Sequence, residues 1–467
     1  MMVPILRSCK VLGFAGVWCR VVCRCLVQCV AGRQIMRRRL ASTVRQLPCR
    51  AGPDLELVVE ADCSWTKIGA QVGRHGRTCL AIVDDGPSGQ ADRCLFELRK
   101  IGINCATFTA RGVYPTADGI DEAREMAKRI GAASIVGIGG GGTVDTAKAT
   151  ARLHASSGGC KHFLKSPGGV LLGEGGNSEP RSPAGDALPL VSVPTSAGSG
   201  AAANRRCLVW HPDDEVLVPL AESPGGGQSV SVSLVDPTFC TSLGNEQTVA
   251  MALTALSCCV DALLARELAL GAGTAPPQDS DVLLQLGTRG IGAVAEGLPA
   301  ALEDGKNVMA RELLTMGSVC AGRLSVITPA PPTQLMARAA GSLLARHSYP
   351  SVCAMVFPHV VGDMLNQASS FSGDAEVSEA IERALSLSAS LLLGDGRDGQ
   401  ALMSWLHAQE HDWLNFSSSL SSVDSTITTK DVATNAEMLL AIEEDRDAAD
   451  RLWSWSGVQD VAELVVG

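Results

Sequence analysis

The sequence predicts an α/β domain built on a parallel sheet, followed by an all-helical domain. Three observations predict it. Between about residues 55 and 240, short apolar runs alternate with amphipathic segments. After Asp236-Pro237 the apolar spacing becomes helical throughout. A run of four glycines, Gly139–Gly142, joins one apolar run directly to a helical segment. Of the 467 residues, 46% are hydrophobic and 19% charged, which excludes a disordered chain or a coiled coil. The expected organisation is a leader over 1–50, an α/β domain over 51–240 and a helical domain over 241–467.

The leader comes first. Residues 1–50 carry ten basic side chains and no acid, including Arg7, Lys10, Arg20, Arg24 and the run Arg37-Arg38-Arg39. An acid-poor, arginine-rich, partly apolar leader is the pattern of a mitochondrial transit peptide, with a plastid address as the alternative. A signal anchor through Val11–Val30 is disfavoured by Arg20 and Arg24, since a charge at mid-membrane costs about 3 kcal/mol. No later segment reads as an uninterrupted apolar run long enough to cross a bilayer. The remainder holds 29 basic against 49 acidic residues, and so acidic a body repels nucleic-acid phosphates. Six of the 17 cysteines fall in the leader; the other eleven form no disulfide framework and point to reduced thiols.

The strands follow in order. Thr78–Val83, Asn104–Phe108, Ser134–Ile138 and Leu188–Val193 are short, apolar and bounded by Gly, Asp or Pro, as buried strands are. Between the second and third, Ile120, Ala123, Met126, Ala127 and Ile130 recur at helical spacing. Asp118 and Asp121 favour the N-terminal end of that helix through its dipole. Segments around 246–270, 280–302, 309–325, 334–346, 375–393, 400–415 and 430–453 are helical in period. Linkers rich in Gly, Ser or Pro fall at 155–187, 222–230 and 271–278.

The most informative stretch is Ser134–Thr150, SIVGIGGGGTVDTAKAT. A buried strand runs into Gly139, Gly140, Gly141 and Gly142 and then into a helix that Thr143 is placed to cap. Glycines let backbone amides approach a phosphate, and the helix N-terminus favours its negative charge. Gly137, Gly139 and Gly142 also satisfy G-x-G-x-x-G, although no acid stands about 20 residues on, where the dinucleotide fingerprint expects one.

Here the chain resembles the iron-containing (group III) alcohol dehydrogenases. GGGGTVDTAKA is similar to their GGGS-x-x-D-x-AK signature, and VPTSAGSG over 193–200 to their PTTAGTGSE. Further echoes are YPTADGIDEAREMAKRIGA, LVDP at 234–237, LPAALEDGKNVMARELL and FPH at 357–359. The resemblance spans roughly residues 55–450 in consistent order. It implies the dehydroquinate synthase-like architecture: a Rossmann-like dinucleotide-binding domain, a helical domain and a catalytic cleft between them. By position, Gly139–Gly142 would hold the pyrophosphate, and Thr195, Ser196 and Ser199 the nicotinamide side. Asp85 stands where the family has an acid near the adenosine ribose, which favours NAD over NADP. A solvated turn acid is the other reading of Asp85. The family's habit also implies a homodimer or larger oligomer and a small-molecule substrate.

The resemblance breaks at the metal. The family uses an Asp and a His one helical turn apart, then two more His about fourteen residues apart. Here those positions hold Thr254, Cys258, either Gln334 or Leu335, and Tyr349. No metal is therefore expected. Ala202 replaces the glutamate ending the second signature, and Gly142 the serine of the first. The metal-free branch of the family, the maleylacetate reductases, keeps histidines that this chain lacks.

Without a metal, hydride transfer to a carbonyl needs a side chain to supply the proton. Tyr349, His347 and Lys148 are the candidates; a core aromatic is the alternative reading of Tyr349. Two functions follow. One is an NAD-dependent oxidoreductase acting on a small alcohol, aldehyde or oxo acid without metal. The other is an inactive relative that binds dinucleotide or acts through oligomer or partner contacts. His407, Glu410 and His411 spell an inverted zinc-protease motif, but they sit in a polar amphipathic segment and read as a solvated helix face.

Overall fold

Six parallel strands form the sheet of the N-terminal half, in the order β1-β8-β5-β4-β2-β3. The computed structural model describes residues 55–85, 89–164, 183, 185–211, 216–221, 232–271, 280–328, 331–340, 347–369, 375–414, 428–441 and 458–466. These lie in one compact unit, Pro48–Gly467. The leader, the linker at 222–230, much of that at 155–187 and all but Gly271 of that at 271–278 lie outside the described residues.

All four expected strands form: β2 (Thr78–Asp84), β3 (Asn104–Ala110), β4 (Ser134–Gly139) and β5 (Leu190–Pro194). Two more, β1 (Glu56–Val59) and β8 (Val232–Val235), complete the sheet at its far edge. They escape a periodicity reading because four residues hold no countable period. The hairpin of β6 (Leu208–His211) and β7 (Val216–Pro219) was likewise not expected. Helices α1 (Cys63–Gly73), α2 (Gly89–Lys100), α3 (Ala117–Arg129) and α4 (Gly141–Leu153) alternate with the strands. Thr116 caps α3, its side chain accepting from Gly119 N–H, with Asp118 in the first turn. Asp236, just after β8, accepts from the amides of Asp62 (3.0 Å) and Ser64 (3.1 Å), so the last strand pins the head of α1.

This strand order sets where a ligand can bind. From β2 the chain steps outward to β3, then returns to β4 on the other side of β2 and continues away through β5 and β8. The reversal leaves a crevice beyond the carboxyl ends of β2 and β4, the usual ligand position in open α/β sheets. Asp84 ends β2 and Gly139 ends β4.

From Asn245 onward every described element is helical: α5 (Asn245–Gly271), α6 (Ser280–Glu303), α7 (Val308–Ile327), α8 (Pro332–Ala339), α9 (Tyr349–Ser369), α10 (Ala375–Leu393), α11 (Gly399–Gln409), α12 (Thr429–Ala441) and α13 (Val458–Val466). α5 is the central post, packed against α6, α7, α9 and α10. It corrects one expectation: with a mean hydropathy of 1.9 in its most apolar window, it is long and apolar enough to cross a bilayer. That window is 89% buried in the protein, so it serves as a core helix. The prolines near 330 break α7 from α8, and Pro332 takes the first turn of α8, where its missing N–H costs nothing. All eleven cysteines outside the leader are buried and free.

Candidate active site

The two halves enclose a cavity of about 540 Å3 above the crevice. Its floor is the turn Gly140–Thr143, with Asp84 and Asp85 beside it from β2. One wall is the loop after β5, including Ser196, Gly198 and Ser199; the opposite wall is made by α5, α7 and the head of α9. The size falls within the range of small-molecule sites. Four carboxylates line the cavity (Asp84, Asp85, Asp145 and Glu246), and among its described lining residues there is no lysine, arginine or histidine.

The glycine turn behaves as a phosphate cradle should, with one modification. α4 begins at Gly141 after an extended Gly140, and no side chain caps it. The expected cap, Thr143, instead lies in the first turn and donates its hydroxyl to Asp84. The first-turn amides of Gly141, Gly142 and Thr143, which have no partner within a helix, border the cavity. Gly142, the departure from the family's serine, has a local reason: a Cβ there would collide with the carbonyl oxygen of Val113 in the loop after β3. The next residue of that loop, Tyr114, stacks on Trp210 and donates its hydroxyl to the carbonyl of His347 (2.8 Å), tying the two halves together across the cavity mouth.

The expected residues separate into two groups. Asp85, Gly140, Gly141, Gly142, Ser196, Ser199 and Tyr349 all line the cavity. Gly139, Thr195, His347 and Lys148 do not. Gly139 and Thr195 support it from behind, Thr195 N–H donating to Gly139 O at 2.9 Å. His347 contributes its backbone carbonyl. Lys148 is fully buried beneath the lining, donating to Asp145 (2.9 Å), Arg206 O (2.7 Å) and Asn204 Oδ1 (3.4 Å). Three bonds use the three protons of an ammonium, so Lys148 is a strut holding α4 to the segment after β5.

Beyond Tyr349 lies a recess of about 60 Å3, lined by Cys258, Gln334, Arg206 and Arg338 among others. Of the residues at the positions where the resemblance implies metal ligands, Cys258, Gln334 and Tyr349 border this recess, whereas Thr254 and Leu335 do not. Tyr349 donates its hydroxyl to Gln334 Oε1 at 2.6 Å, and Gln334 Nε2 donates to Ser257 Oγ at 3.0 Å. Thr254 donates to Ala250 O (2.8 Å). Burial pushes the Cys258 thiol well up, with Asp261 adding to the effect, so it is no thiolate ligand. A phenol bonded to an amide, a hydroxyl bonded to backbone carbonyls and a neutral thiol do not fit a divalent cation. Among the described residues no cluster of three His, Cys, Asp or Glu side chains converges elsewhere. His407 pairs with Glu410 and the exposed His411 with Asp412.

Sequence reasoning missed two carboxylates that the structure places at or beside the site. Asp84 was passed over for its neighbour, although its place at the end of β2 was available as a signal. Asp261, one turn beyond Cys258 on α5, accepts from both N–H (3.1 Å) and Oγ1 (3.2 Å) of Thr333 and so positions α8 and Gln334. Complete burial raises its pKa to about 8 despite those bonds.

Comparison with known proteins agrees with this geometry. The family model of iron-containing alcohol dehydrogenases matches residues 56–226, the α/β half that carries the glycine turn. Over that half the chain is similar to the iron-containing alcohol dehydrogenases. Among curated proteins, the NAD-dependent methanol dehydrogenase of Bacillus methanolicus is 23% identical over 259 residues, 55% of this chain and 61% of that protein. The long-chain primary alcohol dehydrogenase AdhA of Thermoanaerobacter ethanolicus is 26% identical over 235 residues, 50% of this chain and 52% of that one. The chain thus matches between half and two thirds of the length of these relatives. In fold the likeness extends further: an archaeal halo-thermophilic alcohol dehydrogenase from a Red Sea brine pool superposes with a TM-score of 0.70 at 17% identity, over 89% of this chain and 96% of the other.

Proposed function

We propose that the protein is an NAD-dependent oxidoreductase that transfers hydride to or from a small alcohol, aldehyde or oxo acid without a metal ion. The observation that carries this reading is the shared cavity. The glycine turn and the serine-bearing loop of the second signature face one space that ends on Tyr349. Its shape and donors suit a dinucleotide: the amides of Gly140–Gly142 toward the diphosphate, Asp85 toward the ribose hydroxyls, and Ser196 and Ser199 toward the nicotinamide end. The bound nicotinamide supplies or accepts the hydride.

The chain's own task is the proton and the developing negative oxygen. Tyr349 gives its hydroxyl proton to the carbonyl oxygen in reduction and takes it back in oxidation. Burial raises its pKa well above the ordinary tyrosine value, and the nearby Arg338 guanidinium partly opposes that rise. A permanent cation in the recess therefore acts in the sense that a metal would, favouring anionic oxygen. In the free protein Gln334, held by Ser257, keeps the hydroxyl proton on the phenol. To serve in reduction the O–H must turn from Gln334 Oε1 to the carbonyl oxygen, and the proton is then replaced from solvent.

A second reading, a dinucleotide-binding relative without turnover, is favoured by the cavity's lack of a lining cation and by the engagement of Tyr349 with Gln334. One experiment separates the two. Quenching of protein fluorescence by NADH establishes binding; short aldehydes, 2-oxo acids and enones are then screened with NADH and NADPH in EDTA. Turnover in EDTA, with substoichiometric iron and zinc in the purified protein, supports the enzyme. Binding without turnover supports the second reading. Activity lost in EDTA and restored by ferrous or zinc ion refutes metal independence.

We further propose mitochondrial import through residues 1–50 and a homodimer or larger assembly. A reporter fused to residues 1–50 that stays cytosolic refutes the first, and a monomer by light scattering refutes the second.

A further inference from the structure

The Asp84 carboxylate sits on the diphosphate seat itself. Its Oδ2 accepts from Gly140 N–H at 3.1 Å, its Oδ1 from the Thr143 hydroxyl, and it is packed so closely on Gly139 that a Cβ there would strike it. An anion of this chain thus occupies part of the amide edge that would hold a ligand's anion. We propose that Asp84 couples dinucleotide binding to the uptake of one proton: the free protein holds the turn with a carboxylate, and the complex holds it with a neutral carboxyl beside the diphosphate.

The physical reason is local charge. Two phosphate oxyanions and a carboxylate within one water-poor turn repel, and protonating the carboxylate relieves the repulsion, as in paired-acid sites. Nothing nearby compensates. From α4, Asp84 meets Gly140 and Thr143; its parallel partner on β3 is Ala110; Asp85 beside it carries the same charge. The other ionisable groups bordering the cavity are Asp145, Glu246, Tyr114 and Tyr349, none of them a cation. Burial already raises the Asp84 pKa in the free protein, so the added phosphate charge acts on a carboxyl poised toward protonation. The proton comes from solvent, and no bond other than O–H forms or breaks.

The proposal rests on the dinucleotide-binding reading above, and its test separates the two. NADH affinity is measured by fluorescence between about pH 6 and 9, and proton uptake by calorimetry in buffers of different ionisation enthalpy. Above the free-state pKa of Asp84, wild-type affinity should fall by up to about tenfold per pH unit, with close to one proton taken up. Asp84→Asn should abolish both the slope and the uptake, and should bind about tenfold tighter than wild type near pH 8. Asp84→Ala should do the same, so that misfolding of one variant does not decide the matter. A flat wild-type profile without proton uptake, a slope that survives both substitutions, or weaker binding by both variants overturns this inference alone. Absence of NADH binding in all three proteins at every pH overturns the dinucleotide reading, and this inference with it.

Discussion

Tyr349 and Gln334 are joined by a 2.6 Å hydrogen bond in which the phenol donates to the amide oxygen. The two residues come from different helices, α9 and α8, and stand where the resemblance drawn from the sequence implies histidine ligands. The bond holds a neutral phenol, because an amide oxygen accepts from a hydroxyl without removing its proton. Removing the phenolic oxygen should therefore be costly to chemistry and cheap to binding. Tyr349→Phe is expected to lower kcat by about 100-fold or more with the dissociation constant of NADH unchanged. Full activity in that variant would refute the proton-donor role.

Lys148 offers the opposite expectation. Its ammonium is wholly buried and bonded to Asp145, Asn204 and Arg206, outside the cavity. Lys148→Met leaves the Asp145 carboxylate largely uncompensated, a loss of about 3 kcal/mol or more. Denaturant unfolding should show that loss, while NADH should bind the folded fraction normally. A stable variant with defective turnover would return Lys148 to the chemistry.

At Gly142 the family's serine is the test. The side chain would meet the Val113 carbonyl, so the loop over Gly112–Pro115 must shift, and Tyr114 with it. Gly142→Ser should destabilise the protein by about 1–3 kcal/mol, in the range of overpacking, and weaken NADH binding. An unchanged thermal midpoint would show that the loop yields freely.

Asp261 predicts a pH dependence of stability. Its carboxyl has a pKa of about 8 in the folded protein and the ordinary carboxylate value when unfolded. Between those values the folded state holds the proton that the unfolded state releases. Its contribution is therefore fully present below the unfolded pKa and is lost as pH rises toward 8, at up to about 1.4 kcal/mol per unit. Asp261→Asn keeps an acceptor for Thr333 N–H and should flatten this decline, measurable as midpoints of urea unfolding from about pH 5 to 8. A variant that follows the wild-type slope would place the titration elsewhere.

Much of the fold was legible in the chain, and the reasons are particular. Thr78–Val83 and Ser134–Ile138 read as buried strands because both faces of a parallel sheet are covered, which leaves a continuous apolar run. Most of the helical half was legible from spacing, α10 to the residue, but α9 and α13 were not: α9 is buried nearly all round and carries Pro358, so no apolar stripe marks it. β1 and β8 were not, since four residues give no period, and Ser233 in β8 hides its burial by bonding Ser192 across the sheet at 2.7 Å.

The sequence by itself determined the class of the fold and the strand-to-helix glycine turn. Only the tertiary structure decided that Gln334 faces Tyr349, that Lys148 is spent on Asp145, Asn204 and Arg206 rather than lining the cavity, and that Asp84 rather than Asp85 lies on the glycine turn. The reason is that periodicity specifies which face of an element is buried, whereas partnership across elements depends on register, and register is set by packing. One residue along β2 reverses a side chain's direction. One residue along α8 turns it by about 100°.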